Sequence, residues 1–393
     1  MACHGIDLDS LYEARLLVDD VFARVQPDSL YERPVPERHR LNFYIGHVEA
    51  FDRNLVDGNV SPFKSFDPEL DRLFAAGIDP EPGQLPTDQP SDWPEIQRTR
   101  EYCARTRELV DTGWNDLPVQ LRHAAIEHRL MHAETLAYLL HNLPKERLIT
   151  PQCSESADTR GELAGERINV PAGYAVLGRR PTDGFGWDNE FPEISTRIDA
   201  FSMDRWKVTN GAYLRFVKTG QPAPHYWVQR DGEWWLRRMF DEIPLPLDWP
   251  VWVTHNEATG YAHWLGAELP TEAQWQYAAW GGVGESEPTG NFDGRRHDPE
   301  SVNANPASVS PSGVEDMLGN GWEWTSTLFR PFPGFEPFPF YAGYSANFFD
   351  DDHYVLKGAS PRTDSVFLRR SFRNWFRKDY PYVFAAFRCI HKP

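Results

Sequence analysis

The sequence predicts a mixed α+β protein with two domains, a helical bundle followed by a loop-rich domain of irregular texture. Apolar residues recur at helical spacing through residues 1–145, whereas beyond residue 166 short apolar pieces alternate with Gly, Pro, Asn and Asp. The length of 393 residues also suits two domains better than one. We therefore expect a helical domain at 1–145, a polar linker at 146–166 and a second domain at 167–393.

Each element follows from local patterns. The first domain is predicted to hold four long helices and one short one, at residues 8–25, 37–56, 68–76, 95–113 and 118–142. The long connection around the short helix suggests an antiparallel bundle with one crossover. In the second domain, helical spacing occurs at residues 210–218, 254–266 and 271–280.

The composition limits the classes of function. A net charge of −18, from 40 basic and 58 acidic residues, argues against a nucleic-acid partner. No apolar run approaches the roughly 20 residues that span a bilayer, and the chain does not start with a basic segment followed by an apolar one. We therefore expect a soluble, cytoplasmic protein with no membrane partner. The scattered residues Cys3, Cys103, Cys153 and Cys389 form no CxxC pair and are expected to be free thiols.

Two histidines of the last predicted helix point to a metal site. His128 and His132 are four residues apart, so both imidazoles project from one helix face. Leu121 and Leu139 lie on the same face, which marks it as the buried stripe. Because buried polar groups without partners are costly, a shared metal ion would explain the pair. A pair at this spacing also arises by chance among 13 histidines.

His47, on the second predicted helix, is a third candidate ligand, and the adjacent Gly46 permits close approach of another segment. Glu134 lies six positions after His128, about 240° around the helix, and is not expected to be a ligand alongside both histidines. Three imidazoles without a carboxylate suit iron(II), copper or zinc, and zinc would favour hydrolysis. These residues alone do not choose the metal.

The second domain carries recognisable motifs. The segment ELPTEAQWQYAA at 268–279 resembles the LPTEAEWEYAA signature of the formylglycine-generating-enzyme/sulfatase-modifying superfamily, and GNGWEW at 319–324 resembles its GNVWEW box. VTN at 208–210 and PVWVT at 250–254 match two more blocks in the expected order. The resemblance implies an irregular C-type-lectin-like α+β domain, in which most of the tryptophans would fill a core between long loops.

Within that superfamily, the chain resembles the iron(II)-dependent sulfoxide synthases of ergothioneine and ovothiol biosynthesis. Their N-terminal DinB-like four-helix bundle carries an H-x3-H-x-E motif, matched by His128, His132 and Glu134, and a glycine–histidine pair matched by Gly46 and His47. Further matches are GFGWDNE at 184–190, YVLKG at 354–358 and FRNW at 372–375. The resemblance implies that His47, His128 and His132 hold Fe(2+).

The resemblance also implies the reaction, in which O2 drives the joining of a sulfur or selenium nucleophile to the imidazole C2 of hercynine, Nα-trimethylhistidine. Tyr341 matches the family's catalytic tyrosine, and Tyr344 matches a second tyrosine that helps to hold the substrate. Asn374 and Trp375 match positions that meet the trimethylammonium group, which an aromatic face attracts.

The chain departs from the family where the donor is bound. Phe376 and Tyr380 stand where the branch using γ-glutamylcysteine has Asp and Arg, which bind the charged ends of that donor. Met131 replaces a Gln that often contacts the substrate imidazole, and Arg107 aligns only loosely with another donor-binding arginine. The lost charges favour a neutral selenosugar, as in the selenoneine synthases that resemble this branch. Cysteine or another thiol stays open as the donor.

Three other functions are alternatives to the predicted synthase. A formylglycine-generating or cysteine-oxidising enzyme would need a cysteine pair in the second domain, where only Cys389 follows Cys153, and is rejected. A non-catalytic binding module would not need three core-facing histidines. A DinB-like zinc or nickel thiol transferase is the more remote alternative.

Overall fold

The chain folds into two units. The computed structural model describes residues 6–60, 62–77, 85–151, 161–281 and 288–391. The first unit, Met1–Gln152, is helical, and the second, Cys153–Pro393, holds the strands of the described residues. The division lies inside the predicted linker, although the first residues of that segment belong to the helical unit.

The described residues of the helical unit form five α-helices. They are α1 (Leu8–Ala23), α2 (Leu41–Asn59), α3 (Pro68–Phe74), α4 (Ile96–Gly113) and α5 (Val119–His141). Helix α5 packs against α1 and α2, and α2 also packs against α3 and α4. The predicted set of four long helices and one short helix on the crossover is confirmed. Among the described residues, no helix is long and apolar enough to cross a lipid bilayer.

Several helix ends differ from the sequence prediction by a few residues, among them the end of α1 and both ends of α2, which closes at Asn59 rather than at residue 56. Helix α1 stops before Val25, because Val25 pairs instead with Leu148 in an isolated antiparallel bridge. This bridge attaches the start of the predicted linker to the helical unit. Helix α2 begins at Leu41 rather than at residue 37, because the Leu41 N–H donates to the Glu32 carbonyl at 3.1 Å and the chain there turns.

A buried ionic network lies between α2, α4 and α5. Arg129 is fully buried and donates to both carboxylate oxygens of Glu49, at 2.9 and 3.0 Å, and also to Asp52. Arg107 donates to Glu49 at 2.9 Å and reaches Asp19 at 2.7 Å. Burial alone would raise the pKa of Glu49, but Arg129 and Arg107 lower that pKa to about 2. Glu49 is therefore charged and tied to both arginines.

The second unit consists of short strands and helices. Its strands are β1 (Arg167–Val170), β2 (Gly173–Leu177), β3 (Ile194–Ile198), β4 (Phe201–Asp204), β5 (Trp227–Arg230), β6 (Glu233–Arg237), β7 (Glu242–Pro244), β8 (Gly321–Leu328), β9 (His353–Ala359), β10 (Asn374–Arg377), β11 (Ala385–Ala386) and β12 (Ile390–His391). Its helices are α6 (Asn210–Val217), α7 (His255–Trp264), α8 (Glu272–Trp280) and α9 (Gly343–Ala346).

Four small sheets arise from these strands. The largest has the order β10–β9–β8–β11, and the others are β1–β4–β12, β5–β6–β7 and β2–β3. Strand β10 is therefore an edge strand, and Trp375 lies opposite Val355 of β9. The core confirms the expected use of tryptophan. Five indoles of this unit are almost completely buried: Trp187, Trp249, Trp275, Trp322 and Trp324.

Threonine caps fix the start of two predicted helices. The side chains of Thr254 and Thr271 accept from the backbone N–H groups of Glu257 and Gln274, whose side chains in turn accept from the capping residues. Helices α7 and α8 therefore begin one residue after the predicted starts at 254 and 271. Cys103 and Cys389 are buried free thiols as expected, whereas Cys3 and Cys153 lie outside the described residues.

We expect Arg129→Met to destabilise the protein by about 3–5 kcal/mol, because it leaves the carboxylates of Glu49 and Asp52 buried without Arg129. Urea unfolding followed by circular dichroism measures the change. Arg230→Met is the matched control, since Arg230 pairs with Glu242 while 58% exposed. It should change stability by less than about 1 kcal/mol, and equal losses in the two variants would contradict the account of the buried network.

Candidate metal centre and aromatic site

Three histidines of the helical unit meet at one place, here called the histidine cluster. His47 comes from α2, and His128 and His132 come from α5. One ring nitrogen of each lies within 4.8 Å of the others, and all three side chains are buried. The Nε2 atoms of His128 and His132 are 3.2 Å apart. Within the described ranges, no other group of three His, Cys, Asp or Glu residues converges in this way.

Burial keeps the histidine cluster uncharged. It lowers the pKa of His47 to about 4 and lowers the pKa values of His128 and His132 well below the usual value of 6.5. The His47 Nδ1 atom lies 2.8 Å from the carbonyl oxygen of Phe74, an arrangement in which Nδ1–H donates. This hydrogen bond leaves Nε2 of His47 with a free lone pair, as a metal ligand requires.

The histidine cluster fits a divalent transition metal. Neutral imidazoles suit iron, copper and zinc, and metal–nitrogen bonds of about 2.0–2.1 Å require donor atoms a few ångströms apart. Aromatic rings fix two of the imidazoles, because Phe51 stacks on His128 at 3.6 Å and Phe43 stacks on His47 at 4.8 Å. Glu134 is not part of the converging group.

Two other predicted residues lie in the helical unit. Met131 is half-buried and directly precedes His132 on α5. Arg107 is held by two carboxylates, with Asp19 at 2.7 Å and Glu49 at 2.8 Å. Its charge is therefore balanced inside the helical unit, and these contacts give no support to the predicted role in donor binding.

In the second unit, four aromatic side chains form what we call the aromatic cluster: Trp187, Tyr341, Tyr344 and Trp375. Trp187 stacks on Tyr344 with ring centres 4.1 Å apart, and Tyr341 meets Trp187 edge-on at 6.5 Å. Tyr344 also meets Trp375 edge-on at 5.3 Å. The structure thus brings together the two predicted tyrosines and the predicted tryptophan.

A buried polar contact holds the tyrosine segment. Ser345, on α9 directly after Tyr344, donates to the carboxylate of Asp188 and accepts from the Asn189 amide at 3.1 Å. All three polar side chains are at most 1% exposed. Trp187 also stacks on Tyr344. The segment 187–189 therefore holds Tyr344 and Ser345 by both an aromatic and a polar contact.

The remaining predicted residues lie on β10 or follow it. Side chains alternate along a strand, so Asn374 and Phe376 lie on the face opposite Trp375. Phe376 stacks on Tyr380 at 5.3 Å, and Tyr380 is only 3% exposed beneath it. The half-buried Phe376 ring is therefore the more accessible member of this pair.

Sequence reasoning did not assign three residues that shape this site. Trp187 and Asp188 lie in the GFGWDNE segment, whose resemblance to the family gave the available signal. Phe329 stacks flat on Trp375, with ring centres 4.2 Å apart and planes 6° apart. No local pattern marks Phe329, because its partner lies 46 residues later in the chain.

Comparison with known proteins shows the family of the chain. Residues 154–393 match the family described as the sulfatase-modifying factor enzyme 1-like domain. The hercynine oxygenase of Mycolicibacterium smegmatis is 35% identical over 369 residues, covering 83% of this chain and 84% of that protein. The chain belongs to the hercynine oxygenase family. It is therefore an oxidative enzyme, and a helical region followed by a sulfatase-modifying-factor-like domain confirms the predicted fold class.

Two further relatives extend this picture of the hercynine oxygenase family. The hercynine oxygenase of Mycobacterium tuberculosis is 34% identical over 332 residues, covering 74% of this chain and 77% of that protein. Ergothioneine biosynthesis protein 1 of Schizosaccharomyces pombe is 27% identical over 419 residues. That alignment covers 92% of this chain but 53% of the yeast protein.

We expect His128→Ala and His132→Ala each to lose bound metal, because each variant keeps only two of the three imidazole ligands. Elemental analysis of anaerobically purified protein measures the metal content per chain. His263→Ala is the control, since His263 is exposed on α7 and far from the cluster in sequence. Full metal content in either cluster variant would refute the assignment of these ligands.

Proposed function

We propose that this member of the hercynine oxygenase family is an iron(II)- and O2-dependent synthase. It would form a C–Se or C–S bond at the imidazole C2 of hercynine, with a selenosugar as the donor. The convergence of three buried, neutral imidazoles in a chain of this family is the observation that supports the proposal most. The net charge of −18 favours small-molecule partners over nucleic acid, and a cytoplasmic location stays a prediction.

His47, His128 and His132 would hold Fe(2+). When bound, iron(II) would activate O2 as the oxidant, while the electrons that reduce O2 come from the thiol or selenol and the imidazole C–H bond that are joined. The protein's contribution is to keep the three imidazoles neutral by burial and to fix their orientation. Phe43 and Phe51 cover faces of His47 and His128 and limit rotation of those rings.

Trp375 of the aromatic cluster would bind the trimethylammonium group of hercynine. A quaternary ammonium is attracted to aromatic faces, with about 0.5–2 kcal/mol for each favourable contact. Phe329 backs one face of Trp375, and Tyr344 meets the indole edge-on. The indole is thereby held in one orientation, so little ordering is required when the cation binds.

Tyr341 would supply a proton or hydrogen atom during bond formation. Its side chain is half-buried, and its ring contacts Trp187 and Tyr344. These contacts restrict the ring while the phenol keeps an O–H group, which a phenylalanine in the same place would lack.

The donor would bind near Phe376. A sugar packs its C–H face against an aromatic ring and needs no salt bridge, and Phe376 offers an aromatic ring where the γ-glutamylcysteine branch has Asp. The second candidate is an ergothioneine-type sulfoxide synthase that uses cysteine or another thiol. It is favoured by the match to relatives named for ergothioneine biosynthesis.

We expect Tyr341→Phe to lower product formation at least about 100-fold, because general acid–base groups typically contribute that much. The ring contacts and the metal content should not change. The enzyme is reconstituted with iron under anaerobic conditions and then mixed with hercynine, donor and O2. Mass spectrometry of the product measures the rate. Tyr174→Phe is the control on an exposed strand residue. Full activity in Tyr341→Phe would remove Tyr341 from the mechanism.

We expect the enzyme to use a selenosugar in preference to cysteine or γ-glutamylcysteine. We also expect Phe376→Asp to lower kcat/KM for the selenosugar at least about tenfold, which is a loss of about 1.4 kcal/mol in transition-state stabilisation. The physical reason is the loss of the aromatic face. Parallel turnover assays with the three donors measure both effects, with Tyr174→Asp as the control for an added surface charge. A preference for γ-glutamylcysteine in the unmodified enzyme would overturn the proposed donor.

A further inference from the structure

Helices α2 and α3 touch at a glycine beside the histidine cluster. A methyl group placed on Gly46 would lie 2.4–2.5 Å from three ring carbons of Phe74. Such distances are far below a van der Waals contact, so the observed approach requires a residue without a side chain at this position.

The same Phe74 supplies the hydrogen-bond acceptor of a candidate ligand. It is the last residue of α3, where backbone carbonyls have no partner inside the helix. Its carbonyl oxygen accepts from Nδ1 of His47 at 2.8 Å. The carbonyl ends of a helix carry partial negative charge, which increases the electron density of an imidazole that donates to them.

Independent contacts hold α3 in this position. Asp71 of α3 accepts from the Tyr102 hydroxyl at 2.9 Å, and Asp67, which caps α3, binds Arg98 of α4 at 2.8 Å. These contacts attach the N-terminal and central parts of α3 to α4 independently of His47. The distance of α3 from α2 is limited by the contact between Gly46 and the Phe74 ring.

We propose that Gly46 is a positioning residue for the metal centre. Its missing side chain lets α3 approach α2 until the Phe74 carbonyl fixes the tautomer and the ring orientation of His47. The Nε2 atom is then the one presented to His128 and His132. This inference rests on the proposed ligation of a metal by the histidine cluster, and it assigns the residue that prepares one ligand for it.

The test is the metal affinity of Gly46→Ala. We expect the dissociation constant for Fe(2+) or Co(2+) to rise about 10- to 100-fold, the usual effect of losing a hydrogen bond to a metal-bound histidine. Anaerobic titration against a competing chelator measures it on the full chain. Gly58→Ala is a matched control on the same helix, because no atom lies within 4 Å of an added methyl group there. It should bind metal like the unmodified protein.

A double-mutant cycle separates positioning from a general loss of structure. Phe74→Ala removes the ring that obstructs a side chain at position 46 but keeps the backbone carbonyl. In that background, Gly46→Ala should change metal affinity less than threefold. An equal loss in both backgrounds would overturn the inference, because the damage would then arise in α2 itself.

Metal binding by the unmodified protein separates a failure of the Gly46 proposal from a failure of the proposed function. Metal binding by the unmodified protein together with unchanged affinity in Gly46→Ala would overturn only the role of Gly46. Failure of the unmodified protein to bind metal would overturn the proposed function together with it.

Discussion

The burial of three uncharged imidazoles within 4.8 Å of one another is the constraint on which the helical unit depends. Burial lowers their pKa values and favours the neutral rings, the form in which imidazole nitrogens can ligate a metal ion. His128 and His132 lie one turn apart on α5, and the last residue of α3, Phe74, supplies the carbonyl that accepts from His47. The position of α3 and the register of α5 are therefore parts of the same site.

Charged and aromatic contacts surround the predicted site residues of the two units. Arg129 follows His128 directly, yet its charge is balanced by Glu49 and Asp52, so it does not act as an isolated buried cation beside the imidazoles. In the second unit, aromatic contacts position the predicted site residues. Phe329 and Tyr344 contact Trp375 from different directions, which restricts the indole to one orientation.

Much of the helical unit follows from the sequence, because its signals are local. The spacing of His128 and His132 and the glycine before His47 lie within single helices. The rest depends on contacts between distant segments. Ser345 meets Asp188 across 157 positions, and Tyr380 is buried beneath Phe376 because the chain turns back after β10. The start of α2 and the bridge that ends α1 were also set by tertiary hydrogen bonds rather than by periodicity.

We propose that the three imidazoles share one metal ion. X-ray absorption at the iron edge, recorded on the full chain loaded anaerobically with Fe(2+), tests it most directly. We expect one iron site with three imidazole ligands from the protein and oxygen ligands in its other positions. We expect no sulfur ligand, because the three proposed protein ligands are imidazoles; the thiol of Cys103 in the helical unit donates to the Ile45 carbonyl on α2. Fewer than three imidazoles, or a thiolate sulfur in the coordination shell, would contradict it.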